Sequence, residues 1–422
     1  MDWRLPSANP RKPPFLVACA LALVVAMGLP AFAQQATRSP ADEHALIEQL
    51  LKRVAELEQD VKTLRAAEAR RADPAMPAEQ MSPTQMTADT HEAGMAGGSS
   101  ALRIRGFGDI NFHGAQPGGA PNTFSVGPID LFLSSKISER FSAVSELVFE
   151  PDDGNRWGID AERMLLQFSV NDYFSVAAGR YHAAIGYYNT AYHHGTWFQT
   201  ATSRPFIFNF EDEGGLLPIH GVGVTAQGRI PSGSLGLRYV AEISNGRRSR
   251  SVDDEPVQNQ FDENRHKAIN VALLARPDWV RGLEAGLSVY RDRLTPAGRA
   301  AVGETIVATH AVYQTSLFEL LNEALFIRHA PDGVVNATTT RTFYSQVARQ
   351  FGRYHPYARY EFIDVPVADA IFGGEIGRLR GPSFGLRFDA AEPVALKLQV
   401  NHLSGPARNR VNGLTAQLAF TF

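Results

Sequence analysis

Three consecutive acids, Glu211, Asp212 and Glu213, stand between an aromatic run and a glycine pair in the segment FNFEDEGG at residues 208–215. Carboxylates this close together could work as a catalytic acid and base, ligate a metal ion or form only a solvated turn. The histidines that surround them along the chain, and that keep a metal site open as an alternative, are His182, His193, His194 and His220. The choice depends on which elements position these residues.

Residues 1–33 have the pattern of a secretory signal peptide. Three basic residues among the first twelve precede the apolar run FLVACALALVVAMGL, and the small-x-small sequence AFA ends at Ala33. We therefore expect export and cleavage after Ala33. The sequence LVAC at residues 16–19 would also suit a lipoprotein signal, but most of the apolar run follows Cys19. Because Cys19 is the only cysteine, its removal excludes disulfides and cysteine nucleophiles from the mature chain.

Residues 34–70 predict a helix that forms a short coiled coil in the periplasm. Apolar residues recur three and four positions apart, as in a heptad seam. The seam consists of Ile47, Leu50, Val54, Leu57, Val61 and Leu64. Residues 71–100 are rich in Met, Pro and Gly and predict a disordered linker. Thioethers suit Cu(I), so a copper site is conceivable there; its ligands would be Met76, Met81, Met86, Met95 and His91.

From residue 101 to residue 422 the hydrophobic period becomes two, which is typical of β-strands. In the last segment, LTAQLAFTF, Leu418, Phe420 and Phe422 point to one side, whereas Gln417 and Thr421 point to the other. A soluble sandwich also alternates, but it would not place Arg, Lys and Asp along one face of many strands unless that face were wet. We count about sixteen such strands. The pattern predicts an all-β membrane protein, an antiparallel transmembrane β-barrel preceded by the short coiled-coil helix.

The connections between these strands alternate between short and long. The expected short turns include residues 138–140, 171–172, 231–233 and 391–393, and the expected long loops include residues 116–123, 187–219, 246–266 and 368–380. An even strand count with short periplasmic turns places both ends of the barrel in the periplasm. Aromatic residues beside the turns fit an interfacial girdle, and they are Phe141, Tyr173, Trp279, Phe318 and Tyr354.

The signal peptide, the coiled coil, the alternating strands and the terminal sequence AFTF together resemble the Gram-negative outer-membrane porins. Similarity is greatest to the phosphate-selective and dicarboxylate-type porins, which carry a periplasmic helical extension. The resemblance implies a homotrimer in the outer membrane, in contact with lipids and lipopolysaccharide, with one pore per subunit for passive diffusion of small hydrophilic solutes. It also implies that Phe422, with Phe420, is the assembly signal read by the barrel assembly machinery. It implies no cofactor, and the formal net charge of −3 argues against a nucleic-acid partner.

The acids belong to the third long loop, at residues 187–219, which forms the constriction in porins. This loop carries too much aromatic surface to leave in water, so we expect it to pack inside the barrel. The acids and Arg204 would then face basic residues that strand alternation puts on the lumen side: Arg103, Arg105, Lys136, Arg163, Arg180, Arg387 and Lys397. Such an arrangement would set up a transverse field that favours polar solutes. Alternatively, the acids pair with arginines only to hold the loop. An acidic third loop also departs from the basic loop of the phosphate-selective porins.

Other classes of function stay open. His402 and Ser404 resemble the His-x-Ser pair of the outer-membrane phospholipase, although neighbours two apart on one strand seldom form a catalytic pair. A third possibility is a structural anchor, in which the coiled coil grips the cell wall and the barrel only holds the protein in the membrane.

Overall fold

The computed structural model describes Lys52 and residues 102–114, 121–151, 156–192, 195–210, 215–248, 261–373, 376–405 and 412–422. The expected signal peptide, coiled coil and linker lie outside the described residues, apart from Lys52. The three acids at 211–213 and the histidines at 193 and 194 lie outside them as well.

The described residues form seventeen antiparallel strands in one sheet. The strands are β1 (Leu102–Gly114), β2 (Thr123–Val126), β3 (Ile129–Lys136), β4 (Phe141–Pro151), β5 (Trp157–Asn171), β6 (Phe174–His182), β7 (His220–Arg229), β8 (Leu237–Ser244), β9 (Ala268–Ala275), β10 (Leu283–Leu294), β11 (Val302–Gln314), β12 (Phe318–Pro331), β13 (Thr338–Arg349), β14 (Tyr354–Asp364), β15 (Arg378–Ala391), β16 (Val394–His402) and β17 (Asn412–Thr421). One short helix, α1 (Tyr188–Ala191), and 3-10 turns at Thr196–Phe198, Phe206–Phe208 and Gly233–Leu235 complete the described elements.

β2 and β3 are two parts of one barrel strand. Both pair with β1, and the break between them falls at Gly127 and Pro128. Proline has no N–H to give to the ladder, and the Gly127 N–H still donates to the Asp109 carbonyl at 2.9 Å. Seventeen strands with one pair counted together give sixteen, and β1 pairs with β17 to close the sheet. The predicted fold class, an antiparallel barrel of about sixteen strands, is confirmed.

The two faces of the barrel follow from strand alternation. On β16, Leu396, Leu398 and Val400 are exposed, whereas Lys397 and Gln399 between them are buried. The exposed side is therefore the outer, apolar face and the other side is the lumen. The aromatic residues expected in a girdle, which are Phe141, Tyr173, Trp279, Phe318 and Tyr354, are exposed beside the short turns. No helix among the described residues is long and apolar enough to cross a membrane.

Long connections join the strands at one end of the barrel and short turns join them at the other. Three of the long connections matter for the site: loop 3 (residues 183–219), loop 4 (245–267) and loop 7 (365–377). Loop 3 is the third long connection and contains the predicted 187–219 segment.

An apolar core lies inside the barrel, between loop 3, loop 7 and the inward faces of β10 to β15. Ile306, Leu325 and Ile327 point inward from the strands and are fully buried against loop residues such as Leu216 and Phe372. The expected alternation of polar lumen-facing residues with apolar outer residues is therefore lost on these strands. The reason is physical: the inward side chains meet packed loops instead of water, and burial of apolar surface stabilises that contact.

Candidate functional site

Loop 3 leaves the barrel wall between β6 and β7 and is attached to the wall across the lumen. Its first turn is bound by Glu323 on β12. The Glu323 carboxylate accepts the backbone N–H of Tyr187 at 2.6 Å, the N–H of Tyr188 at 2.8 Å and the hydroxyl of Tyr344 at 2.7 Å. One buried carboxylate thus satisfies three donors that would otherwise stay unpaired.

Basic side chains of the wall bind the backbone carbonyls of the same loop. Arg387 on β15 donates to the carbonyls of Trp197 at 2.6 Å and Gln199 at 3.0 Å. Lys397 on β16 donates to the Ala201 carbonyl at 3.1 Å and contacts the Thr196 carbonyl. These two cations therefore hold the loop and lie beneath it.

Arg204 stabilises loop 3 from within. Its guanidinium donates to the carbonyls of Phe208 at 2.5 Å and Tyr192 at 2.7 Å, and lies 4.3 Å from the ring centroid of Phe210. The loop contacts β1 and β14 as well. Thr196 donates to the Asp109 carboxylate at 3.1 Å, and Arg359 donates to the Ser203 carbonyl at 2.8 Å.

Loops 4 and 7 meet at a buried charged group on the side of the barrel to which loop 3 is attached. His329 on β12 lies 2.8 Å from Asp369 of loop 7 and 3.0 Å from Glu304 on β11, and its imidazole can donate to both carboxylates only when both ring nitrogens carry protons. Arg247 of loop 4 lies 3.0 Å from Glu304. Burial by itself would raise the pKa of Asp369, but hydrogen bonds from His329 and the Phe372 N–H lower this pKa to about 2.

The other half of the barrel contains a cavity of about 250 Å³ that opens to solvent. Its walls are β1 and β3 to β11, and its roof is the start of loop 3 at Ala184, Gly186 and Thr190. The charged residues that line it are Arg103, Arg105, Arg163, Arg238, Arg276, Glu242 and Glu284. Arginine outnumbers glutamate five to two in this lining.

Both glutamates of the cavity are already hydrogen-bonded within the protein. Glu242 accepts the Ala184 N–H at 3.1 Å and the Asn270 side chain at 2.7 Å, and Glu284 binds Arg276 at 2.5 Å. Three of the cavity arginines make no hydrogen bond or ion pair to another described residue. They are Arg103, Arg105 and Arg238. The cavity therefore holds an excess of uncompensated positive charge.

Two ion pairs lie beside the base of loop 3, and one of them includes the cavity residue Arg163. Arg163 lies 2.5 Å from Glu146, and Arg180 lies 3.5 Å from Glu162. His182 and His220, which end β6 and begin β7, add to these pairs: His182 lies 3.5 Å from Glu146, and His220 contacts Glu162.

The residues predicted for the constriction thus occupy four environments. Arg103 and Arg105 face the cavity without described partners, Arg163 and Arg180 form ion pairs, and Arg204, Arg387 and Lys397 hold loop 3. Lys136 is exposed at the turn end of β3. A role for all of them in a constriction, together with Glu211, Asp212 and Glu213, stays a prediction.

Two further side chains hold loop 3: Glu319 accepts the Thr200 hydroxyl at 3.0 Å, and Gln399 accepts the Thr202 N–H at 3.2 Å. These two residues and Glu323 were not singled out from the sequence. A signal was present, because Glu319 and Glu323 occupy alternate positions on β12 that face inward with Leu321. Alternation identifies such carboxylates as lumen-facing, but it does not say which loop they contact.

The structure also shows the geometry of the two alternatives, the histidine metal site and the His402–Ser404 pair. The rings of His182 and His220 lie 5.7 Å apart, and no group of three His, Cys, Asp or Glu residues suited to a metal ion occurs in the described part of the chain. His402 and Ser404 are exposed on either side of buried Leu403. The described residues include no hydrogen bond between the His402 and Ser404 side chains.

No protein-family model and no curated protein matches the sequence. Solved structures do match. They include an anion-selective porin from Comamonas acidovorans, with 13% identity, 77% of this chain and 100% of that chain covered, and a TM-score of 0.54. OmpF of Salmonella typhi in complex with daunomycin has 11% identity, 76% and 97% coverage, and a TM-score of 0.55. The outer-membrane channel DcaP of Acinetobacter baumannii has 10% identity, 77% and 98% coverage, and a TM-score of 0.53. The chain has the fold of the sixteen-stranded outer-membrane porins.

Proposed function

We propose that the protein is a porin of the Gram-negative outer membrane that lets small polar or charged solutes diffuse down their gradients. The observation that carries the proposal is the attachment of loop 3 to one wall of the barrel, which leaves a solvent-open cavity along the other wall. A barrel of sixteen strands is wide enough for an aqueous path of this kind.

Selection in such a channel depends on size and on charge at the narrow region. Uncompensated arginines in the cavity attract anions, and the acids at 211–213 oppose that attraction if they line the path. The fold similarity to an anion-selective porin is compatible with an excess of arginine in the cavity. An apolar solute crosses poorly, because it displaces ordered water and replaces none of its hydrogen bonds.

The proposal extends to assembly and location. The barrel sits in the outer membrane as a homotrimer, and the coiled coil lies in the periplasm. Phe422 and Phe420 serve as the signal for barrel insertion; in the folded barrel their rings cover Gly106 and Gly108 on the outer face. Transport is passive, so no catalytic cycle and no cofactor are required.

Liposome swelling tests the proposal. Liposomes that contain the refolded protein should swell in isotonic solutions of small sugars and amino acids, at a rate that falls steeply with solute size. Liposomes with heat-unfolded protein are the control. Equal, slow swelling in both preparations, despite correct folding of the first, would exclude a diffusion pore and favour the structural anchor.

A further inference from the structure

A group of arginines lies on the outer face of the barrel at the long-loop ends of β10 to β15. We call it the arginine belt, and its members are Arg291, Arg328, Arg341, Arg378 and Arg380. All five are exposed. A lipid-facing arginine is costly at the middle of a bilayer and tolerated near its interface. The presence of five exposed arginines on this face therefore needs an explanation.

Strand alternation fixes the direction of the side chains. The neighbours of Arg328, Ile327 and His329, are fully buried inside the barrel, and Phe326, which shares the face of Arg328, is exposed. Thr340 and Thr342 are likewise buried on either side of Arg341. The belt therefore points away from the lumen and takes no part in the cavity.

Strand pairing places the arginines near one another across neighbouring strands. Arg291 and Arg328 are both in register with Thr305 on β11, so they lie two strands apart, or roughly 10 Å. Arg341 and Arg378 are both in register with Asp364 on β14. The belt is thus a continuous line along the rim.

The charge of the belt is only partly balanced. Asp364 binds Arg378 with two hydrogen bonds of 2.9 and 3.0 Å. Within the described residues, the side chains of Arg291, Arg328 and Arg380 have no hydrogen-bonded or ion-paired partner. In the same described part of the chain, no residue within β1 to β9, β16 or β17 is an exposed lysine or arginine on the outer face at the long-loop end; Lys267, just before β9, is exposed and ion-paired with Asp262 at 2.6 Å. The positive charge on the outer face of the strands is therefore concentrated on β10 to β15.

Aromatic side chains lie next to the belt on the membrane side. Phe326 is the cross-strand neighbour of Arg341, and Phe362 is that of Arg380. The ring of Phe343 stacks on that of Phe362 with centroids 5.4 Å apart. Aromatic rings concentrate at the level of lipid headgroups, so the belt lies where phosphates of the outer leaflet would be.

We propose that the arginine belt binds the phosphate groups of lipopolysaccharide. A guanidinium forms paired hydrogen bonds with a phosphate, and several unpaired guanidinia in a line suit a headgroup that carries more than one phosphate. The proposal rests on the placement in the outer membrane proposed above, but it does not depend on conduction through the cavity.

Binding by the mature protein in detergent tests the proposal, with native mass spectrometry as the readout. The probes are lipopolysaccharide, the same lipopolysaccharide after chemical removal of its phosphates, and phosphatidylcholine. The variant Arg328→Gln/Arg341→Gln/Arg380→Gln removes three belt charges. The matched control Arg140→Gln/Arg349→Gln/Arg353→Gln removes three exposed charges at the short-turn end.

The belt variant should bind lipopolysaccharide about tenfold more weakly, and the control variant should bind it like the wild type. Removal of the phosphates should weaken binding to the wild type by a similar factor. Single-channel conductance of the belt variant should stay unchanged, which separates this proposal from that of the pore. Equal binding by belt and control variants, or a belt variant that only changes the oligomeric state, would overturn the proposal. If the triple variant does not fold, undiminished binding of dephosphorylated lipopolysaccharide by the wild type overturns it.

Discussion

The carboxylate of Glu323 accepts the backbone N–H of Tyr187 at 2.6 Å, although the two residues lie 136 positions apart in the chain. This hydrogen bond joins the first turn of loop 3 to the opposite wall of the barrel. It fixes how far the loop extends into the lumen, and with it the width of the path that remains.

Replacement of Glu323 by Ala should release the start of loop 3. Three buried donors, the N–H groups of Tyr187 and Tyr188 and the hydroxyl of Tyr344, would lose their acceptor, at a cost of about 3 kcal/mol in the free energy of unfolding. We expect noisier single-channel currents and a larger mean conductance. Asn322→Ala, on the outer face of the same strand, is the control. Identical current traces from the two variants would show that Glu323 does not hold the loop.

Gly186 should tolerate no larger residue. Its φ of 73° is in the left-handed region, and a Cβ atom there would lie 2.4 Å from the Glu323 carboxylate and 2.8 Å from the Phe208 ring. We expect Gly186→Ala to lower thermal stability and to disturb the same contact as Glu323→Ala. The double variant should therefore be less destabilised than the sum of the two single variants. Full additivity of the two unfolding free energies would contradict a shared contact.

Removal of the unpaired arginines should change charge selectivity. Arg103→Gln combined with Arg238→Gln takes two uncompensated charges from the cavity, so the reversal potential in a salt gradient should shift toward cations. Arg140→Gln, in a turn outside the cavity, is the control for one removed charge. A reversal potential that moves equally in both variants would mean that the cavity is not the selective region.

The acids of loop 3 should have the opposite effect if they face the path. Neutralisation as Glu211→Gln/Asp212→Asn/Glu213→Gln should shift selectivity toward anions, because it removes negative charge from the expected constriction. The measurement is again the reversal potential. An unchanged value, accompanied by lower stability, would assign these acids to holding the loop.

Alternation in the sequence predicted the barrel and both of its faces, because side chains on a strand point to opposite sides with a period of two. Leu398 and Lys397 on β16 show this directly, since the first is exposed and the second is buried. Lys397 was accordingly expected to face the lumen. What it contacts there, the backbone of loop 3, was not predictable, because the fold of a long loop depends on tertiary contacts.

The inward face of β11 illustrates the limit of the pattern. Ile306, Ala308 and Val312 point inward, so most of the inward face of this strand is apolar and does not stand out from the outer face by its alternation. Their apolar character makes sense only once loop 3 and loop 7 are known to pack against them. The contact of Glu323 with Tyr187 is of the same kind, since nothing local to either residue specifies the other.

Acid should release loop 7. The lowered pKa of Asp369, about 2, means that its ionised form stabilises the loop above the ordinary carboxyl pKa of about 4, and that this stabilisation is lost as the pH falls from about 4 to about 2. Cleavage of loop 7 by pepsin should therefore increase over this range. Asp369→Asn should be cleaved readily throughout, and Asp332→Asn is the control. Parallel cleavage profiles for the wild type and Asp369→Asn would refute this role.

Single-channel recording in a planar bilayer tests most directly whether loop 3 leaves an open aqueous path. The refolded mature protein should insert with discrete, ohmic conductance steps, and its reversal potential in a salt gradient should differ from zero. A folded preparation that inserts into the bilayer but gives no open channel would contradict a porin.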